Sequence, residues 1–125
     1  MTGRRPDAGR PGGQDAARHL IDAWRAQDAA VLTRVLHRRV VLTTDGLGST
    51  ADHPVRGAPG VAAALLRMTP PEVRHEWELS EATGMPGIVL RRDGRVHGVI
   101  VVETRRGRIT RLWGVFNPLK LTTWA

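Results

Sequence analysis

A few polar side chains stand out because of the residues around them. His75 and Trp77 share one parity with Val73 and Leu79, while Arg74, Glu76, Glu78 and Ser80 take the other. That is the period of two of a half-buried strand. A histidine among apolar neighbours is placed to act as a general acid or base if its face lines a cavity. The plainer reading is a core residue hydrogen-bonded to a backbone carbonyl. Asp45 closes a β-branched run, and Asp52 and His53 follow in the next loop, close in sequence to Arg56. Asp, His and Arg at a pocket mouth can bind an anionic or carbonyl oxygen or relay a proton. Taken singly, Asp45 is also a turn residue accepting backbone N–H bonds, and Arg56 is also a salt-bridge former fixing the helix after it. His75, Asp45 and His53 are therefore the catalytic candidates, with Arg56 as a substrate contact.

Other chemistries find no support in the sequence. There is no cysteine, so disulfides and thiolate metal sites are excluded. No two histidines stand at helical i, i+4 spacing, and no histidine–carboxylate cluster has metal-ligand spacing, so no metal is expected. No glycine-rich loop opens a helix after a strand, and neither Ser49 nor Ser80 assembles into a Ser-His-Asp set. His97 falls in register with arginines and Glu103 and is expected to face away from a cavity. His19 and His37 are expected at solvated helix surfaces or ends. No cofactor is expected.

These side chains need a scaffold, and the pattern supplies one. Residues 1–13 are rich in Gly, Pro and Arg, lack periodicity, and read as a disordered tail. From Asp15, a plausible N-cap, Ala17, Leu20, Ile21 and Trp24 form one stripe of an amphipathic helix. Asp28 caps a second short helix bearing Val31, Leu32, Val35 and Leu36. Val40–Thr44 reads as a strand ended by Asp45-Gly46-Leu47-Gly48. Pro59 opens a third helix, with Val61, Ala62, Leu65 and Leu66 on its buried side, and Pro70-Pro71 stops it. Strands are expected from Val73, over Met85–Arg91, Val96–Thr104 and Ile109–Phe116, with turns at Asp93-Gly94 and Arg106-Gly107. Helices gathered early and a strand meander late make an α+β domain.

At 125 residues and 41% hydrophobic, the chain fits one domain with a real core. No apolar run approaches the length of a membrane span, and no apolar stretch follows the N-terminal arginines. A soluble, cytoplasmic protein without membrane association is the expectation. The net charge of +7 raises the question of nucleic acid. The arginines, however, scatter into pairs at turns and ends, and one Phe with no Tyr leaves little for base stacking. Nucleic acid is not the expected partner.

Several short motifs occur together in order. Ala23-Trp24-Arg25-Ala26-Gln27-Asp28, followed by Val31-Leu32 and Val40-Val41-Leu42-Thr43, resembles the opening of SnoaL-like (NTF2-like) domains. Asp45-Gly46-Leu47-Gly48, Pro54-Val55-Arg56-Gly57 and the run from Gly107-Arg108-Ile109-Thr110 to Asn117-Pro118-Leu119-Lys120-Leu121 narrow the resemblance. Together they look like the SnoaL-like domain at the C-terminus of some extracytoplasmic-function sigma factors, here standing alone, over about residues 15–122. The family's Asp-Gly-Gly-Gly-Lys turn reads Asp45-Gly46-Leu47-Gly48-Ser49 in this chain, and its Asn-Pro-Asp-Lys-Leu reads Asn117-Pro118-Leu119-Lys120-Leu121.

The resemblance implies three helices packed on a curved antiparallel sheet enclosing a pocket, with the domain spanning residues 14–125. It implies a cofactor-free enzyme of cyclase, isomerase, hydrolase or hydratase type, acting on an apolar metabolite such as a polyketide-like intermediate. The alternative is a ligand-sensing or regulatory module partnered by a sigma factor or RNA polymerase. A homodimer through the outer sheet face is a further expectation. Leu112, Gly114 and Phe116 would face the pocket. Related cyclases keep an acid near the position of Gly114, and this chain has none there. Nor do Val96, Gly98, Ile100 and Val102 supply one. Trp24 and Trp77 would give an aromatic wall or fill the core, and Met85 and Asn117, at strand ends, complete the expected substrate contacts.

Overall fold

The computed structural model describes residues 11–45, 53–82 and 84–116. Three helices come first: α1 (Pro11–Arg25), α2 (Ala29–Val35) and, after two strands, α3 (Ala58–Met68). The strands are β1 (Leu36–Asp45), β2 (Val55–Arg56), β3 (His75–Ala82), β4 (Met85–Arg92), β5 (Arg95–Arg105) and β6 (Arg108–Val115). They form one sheet in the order β2-β1-β6-β5-β4-β3. The meander β3–β6 is antiparallel as expected, but β1 runs parallel to β6. A parallel neighbour requires a long crossover, and here α3 together with the meander provides it.

Helix α1 starts at Pro11, within the stretch read as tail, and not after Asp15. Proline suits a first helical position because its fixed φ is already helical. Asp15 is consequently an exposed interior residue of the helix and caps nothing at its start. The helix ends at Arg25 and the chain turns out of it at Gln27, whose φ of 57° is left-handed, with the Asp28 N–H bonded to the Ala23 carbonyl. That is the closing bond of a Schellman turn. Asp28 caps α2 as its type predicts, its Oδ1 accepting from the Val31 N–H at 3.2 Å. Strand β1 begins at Leu36, four residues earlier than the β-branched run suggests, and carries an irregularity between Leu36 and Val41. The short β2 lies in what reads as a loop.

The helices cover one face of the sheet. Leu20 and Trp24 of α1, Leu32 of α2, and Val61 and Leu65 of α3 meet Leu36, Val40, Ile88, Leu90, Ile100 and Leu112, all fully buried. The other face carries a smaller cluster of Val89 and Val99, with Val96 and Val115 against it. Both hairpin turns have positive φ at their two central residues, Asp93-Gly94 and Arg106-Gly107. This is the turn geometry that matches strand twist.

Candidate functional site

The site is built at the end of the sheet where β3 and β5 begin and β6 finishes. Across β4 and β5, Leu90 pairs with Gly98 but Arg91 pairs with Val96. His97 is the extra residue of a β-bulge, and a bulge re-aims its side chain. Its ring turns to the helix side, where it meets Phe116 edge-on at 5.5 Å and lies 6.4 Å from the His75 ring. The expectation that His97 faces away fails for this reason: simple alternation breaks at a bulge. Val96 correspondingly lies on the outer face, separated from Gly98, Ile100 and Val102.

Phe116 holds its place because two glycines make room for it. A Cβ on Gly98 would stand 2.4 Å from the ring, and one on Gly114 would stand 2.7 Å from it. Neither strand can therefore carry a side chain under this ring. The Phe116 N–H bonds to the Asp45 carbonyl at 2.7 Å, tying the end of β6 to the end of β1.

Three buried side-chain polar atoms among the described residues lack partners; two of them are neighbours at this end, and the third, Thr104 Oγ1, lies toward the far end of β5. His75 Nδ1 lies 3.0 Å from the Val73 carbonyl. It donates there, so in the neutral ring Nε2 is the acceptor nitrogen. That Nε2 is buried and unpartnered, and so is the indole Nε1 of Trp77. The two rings are neighbours, 6.2 Å between centroids. A buried polar atom without a partner costs stability, so an unmatched acceptor beside an unmatched donor is a feature to explain. Beside them, Trp77, Leu79 and Ile21 line a cleft of about 230 Å³ rimmed by Arg18, Asp22 and Arg25. The pKa of His97 is held below the ordinary histidine value by burial, then by the Arg92 guanidinium and by His75.

Trp24 contrasts with its neighbour Trp77, which it meets edge-on at 5.8 Å. Its Nε1 donates to Thr69 Oγ1 at 2.8 Å and lies 3.1 Å from the Leu65 carbonyl. Fully buried and satisfied, Trp24 is placed as a core residue.

The structure gathers some predicted site residues and separates others. His75, Trp77, Leu112, Gly114 and Phe116 share the helix-facing side with Trp24. Asp45 pairs with Val115, which packs with the outer cluster, so the register puts Asp45 on the opposite face from His75. Arg56 is exposed and pairs with Val41, and Met85 has the parity of Val89; both belong to the outer side. His53 is exposed in the segment before β2. Asp52 and Asn117 lie outside the described residues. His97 is the functional candidate that alternation misses. The only sequence signal for it is the Gly98 beside it, since an isolated glycine in a strand often marks a bulge.

No family model matches the sequence, and no curated protein matches it. Solved structures do match. One is the extracytoplasmic function sigma factor SigJ of Mycobacterium tuberculosis, at 22% identity and a TM-score of 0.70 over 90% of this chain. This chain spans 44% of the length of that one. A SnoaL-like protein of unknown function from Burkholderia thailandensis matches at 22% identity and a TM-score of 0.63, covering 82% of this chain and 92% of the other. An epoxide hydrolase of M. tuberculosis described as LEH-like matches at 20% identity and a TM-score of 0.56, covering 87% and 83%. With helices on one face of an open, mostly antiparallel sheet, this chain has the SnoaL-like, NTF2-like fold.

Proposed function

We propose that the chain takes a small, largely apolar molecule carrying an oxygen function against β3, and converts it by positioning and proton transfer. The observation that carries this reading is the pair of buried, unpartnered atoms, His75 Nε2 and Trp77 Nε1. A ligand hydroxyl can donate to the first, and a carbonyl or hydroxyl oxygen can accept from the second. Ile21 and Leu79 beside Trp77 suit an apolar body. His97, kept neutral at pH 7 by its lowered pKa, supplies a second imidazole on the same face. Two imidazoles near one bound oxygen suit cyclisation, isomerisation or hydration, in which a proton is taken from one atom and returned to another. The likeness to an epoxide hydrolase supports this class without naming a substrate.

The test is a titration with testosterone, an apolar body bearing a ketone and a hydroxyl, read by thermal shift and by the His75 imidazole resonances. Saturable binding weakened about tenfold or more in His75→Ala and in Trp77→Phe is the expected result, since tenfold is about 1.4 kcal/mol, near one buried hydrogen bond. Folded variants that bind as the parent does would remove the assignment. His97→Gln is expected to lower turnover more than binding once a substrate is known.

The likeness to SigJ favours one other reading, a ligand-sensing module that acts on a sigma factor or RNA polymerase. Capture of either by the immobilised chain, altered by a ligand at β3, would support it; absence of both would count against it.

A further inference from the structure

The opposite end of the sheet carries side chains of a different kind. There the β5–β6 turn presents Arg105, Arg106 and Arg108, and the start of β1 lies alongside because Leu36 pairs with Ile109. The three arginines, His37 and Thr110 line one open cleft of about 410 Å³. The arginines are exposed, and no carboxylate among the described residues pairs with any of them. Glu103, the nearest acid in sequence, has Arg111 as its register partner across the strands.

Local choices here run against the stability of the empty hairpin. Arg105 and Arg108 are direct cross-strand partners, and like charges facing each other across strands repel. Arg106 sits at φ 53°, where such turns favour Asn, Asp or Gly. His37 adds a directed donor: its Nδ1 accepts the Arg39 N–H at 3.0 Å, so the ring proton sits on Nε2. Thr110 donates its hydroxyl to the Glu103 carbonyl at 3.2 Å and serves as wall.

We infer that this cleft is an anion site for a phosphorylated small molecule, with Arg105 and Arg108 flanking a phosphoryl group and Arg106 and His37 completing its donors. An anion between the paired arginines turns their repulsion into shared attraction. The planar guanidinium fork matches phosphate oxygens two at a time. A nucleic-acid strand is the poorer occupant, because among the described residues no Trp, Tyr or Phe lines the cleft to make a base-stacking platform. The cleft is eight residues along β5 from His97, roughly 26 Å at the rise of a strand. One small molecule cannot touch both sites, so this inference stands apart from the proposed function.

The experiment is a titration of the full chain with inorganic pyrophosphate, followed by amide and imidazole NMR shifts. Saturable shifts confined to His37 and residues 105–110 are expected. Arg105→Gln with Arg108→Gln should weaken them about tenfold or more, while Arg67→Gln with Arg74→Gln, an equal change of charge elsewhere, should leave them unchanged. His37→Leu, outside the turn, should weaken binding too, so the result does not depend on the hairpin alone. Shifts that never saturate, or equal weakening in both double variants, overturn the inference. So does tight binding of a single-stranded oligonucleotide where pyrophosphate fails to saturate, which would make this end a nucleic-acid surface.

Discussion

Two tryptophans in contact, Trp24 on the helix layer and Trp77 on the sheet, show how differently one residue type is used within 5.8 Å. Around Trp24 every polar demand is met. Thr69 Oγ1 accepts from its indole and donates to Leu65 O, and the Gln27 amide also reaches Thr69 and the Trp24 carbonyl. Around Trp77 the indole Nε1 and the adjacent His75 Nε2 are buried with nothing to bond. A satisfied network fixes a fold, whereas an unsatisfied one holds recognition capacity at the expense of stability. The contrast separates the satisfied half of this interior from the half where we propose that a ligand binds.

The largest test of the comparison is Trp24→Ala, expected to destabilise by about 3–5 kcal/mol through the cavity it leaves. Chemical denaturation reads this directly, and Trp77→Ala should cost clearly less because its ring is only half-buried. Equal costs would break the contrast. Next comes Gly98→Ala, expected to cost about 1–3 kcal/mol because the Phe116 ring must move. The penalty should shrink in a Phe116→Leu background, which a thermal melt can resolve.

Smaller effects sharpen the same point. Thr69→Val removes an acceptor from Trp24 and should cost about 1 kcal/mol, whereas Trp77→Phe removes an unpartnered donor along with part of a half-buried ring and should cost no more than Thr69→Val. Ligand binding should divide the two the other way, lost in Trp77→Phe and kept in Thr69→Val.

The smallest effect is a pH dependence set by His97. Its pKa is lower folded than unfolded, so below the unfolded value of about 6.5 the unfolded chain binds more protons. The stability tied to neutral His97 is therefore full above that value and is lost as pH falls through the lower, folded one. Denaturation midpoints measured on the acid side should fall less steeply in His97→Gln. In Arg92→Gln the folded value should move back toward the ordinary histidine range, so the acid-side loss should be smaller and should end at a higher pH.

Much of the fold was legible because its signals are local. The α1 stripe, the Asp28 cap, the Pro70-Pro71 stop and both two-residue turns each depend on neighbours a few positions away. His75 and Trp77 were legible for the same reason, as period two fixes which side chains share a face. The face Asp45 takes was not legible, because it depends on pairing with Val115, seventy residues on, in a parallel register that no local pattern announces. His97 was misread because the bulge at Leu90/Arg91 arises between two strands.

The sequence by itself determined an α+β domain with helices early and a meander late, a core free of cysteine, and a histidine beside a tryptophan on one strand. Apolar periodicity and turn chemistry suffice for those. Only the tertiary structure decided which tryptophan is satisfied and which is not, since hydrogen-bond partners at Leu65 and Thr69 are brought in from a distant helix. It alone turned His97 inward, carried Asp45 outward, and set three arginines and His37 around one cleft. Packing and register join residues far apart in the chain, and no one-dimensional pattern carries that information.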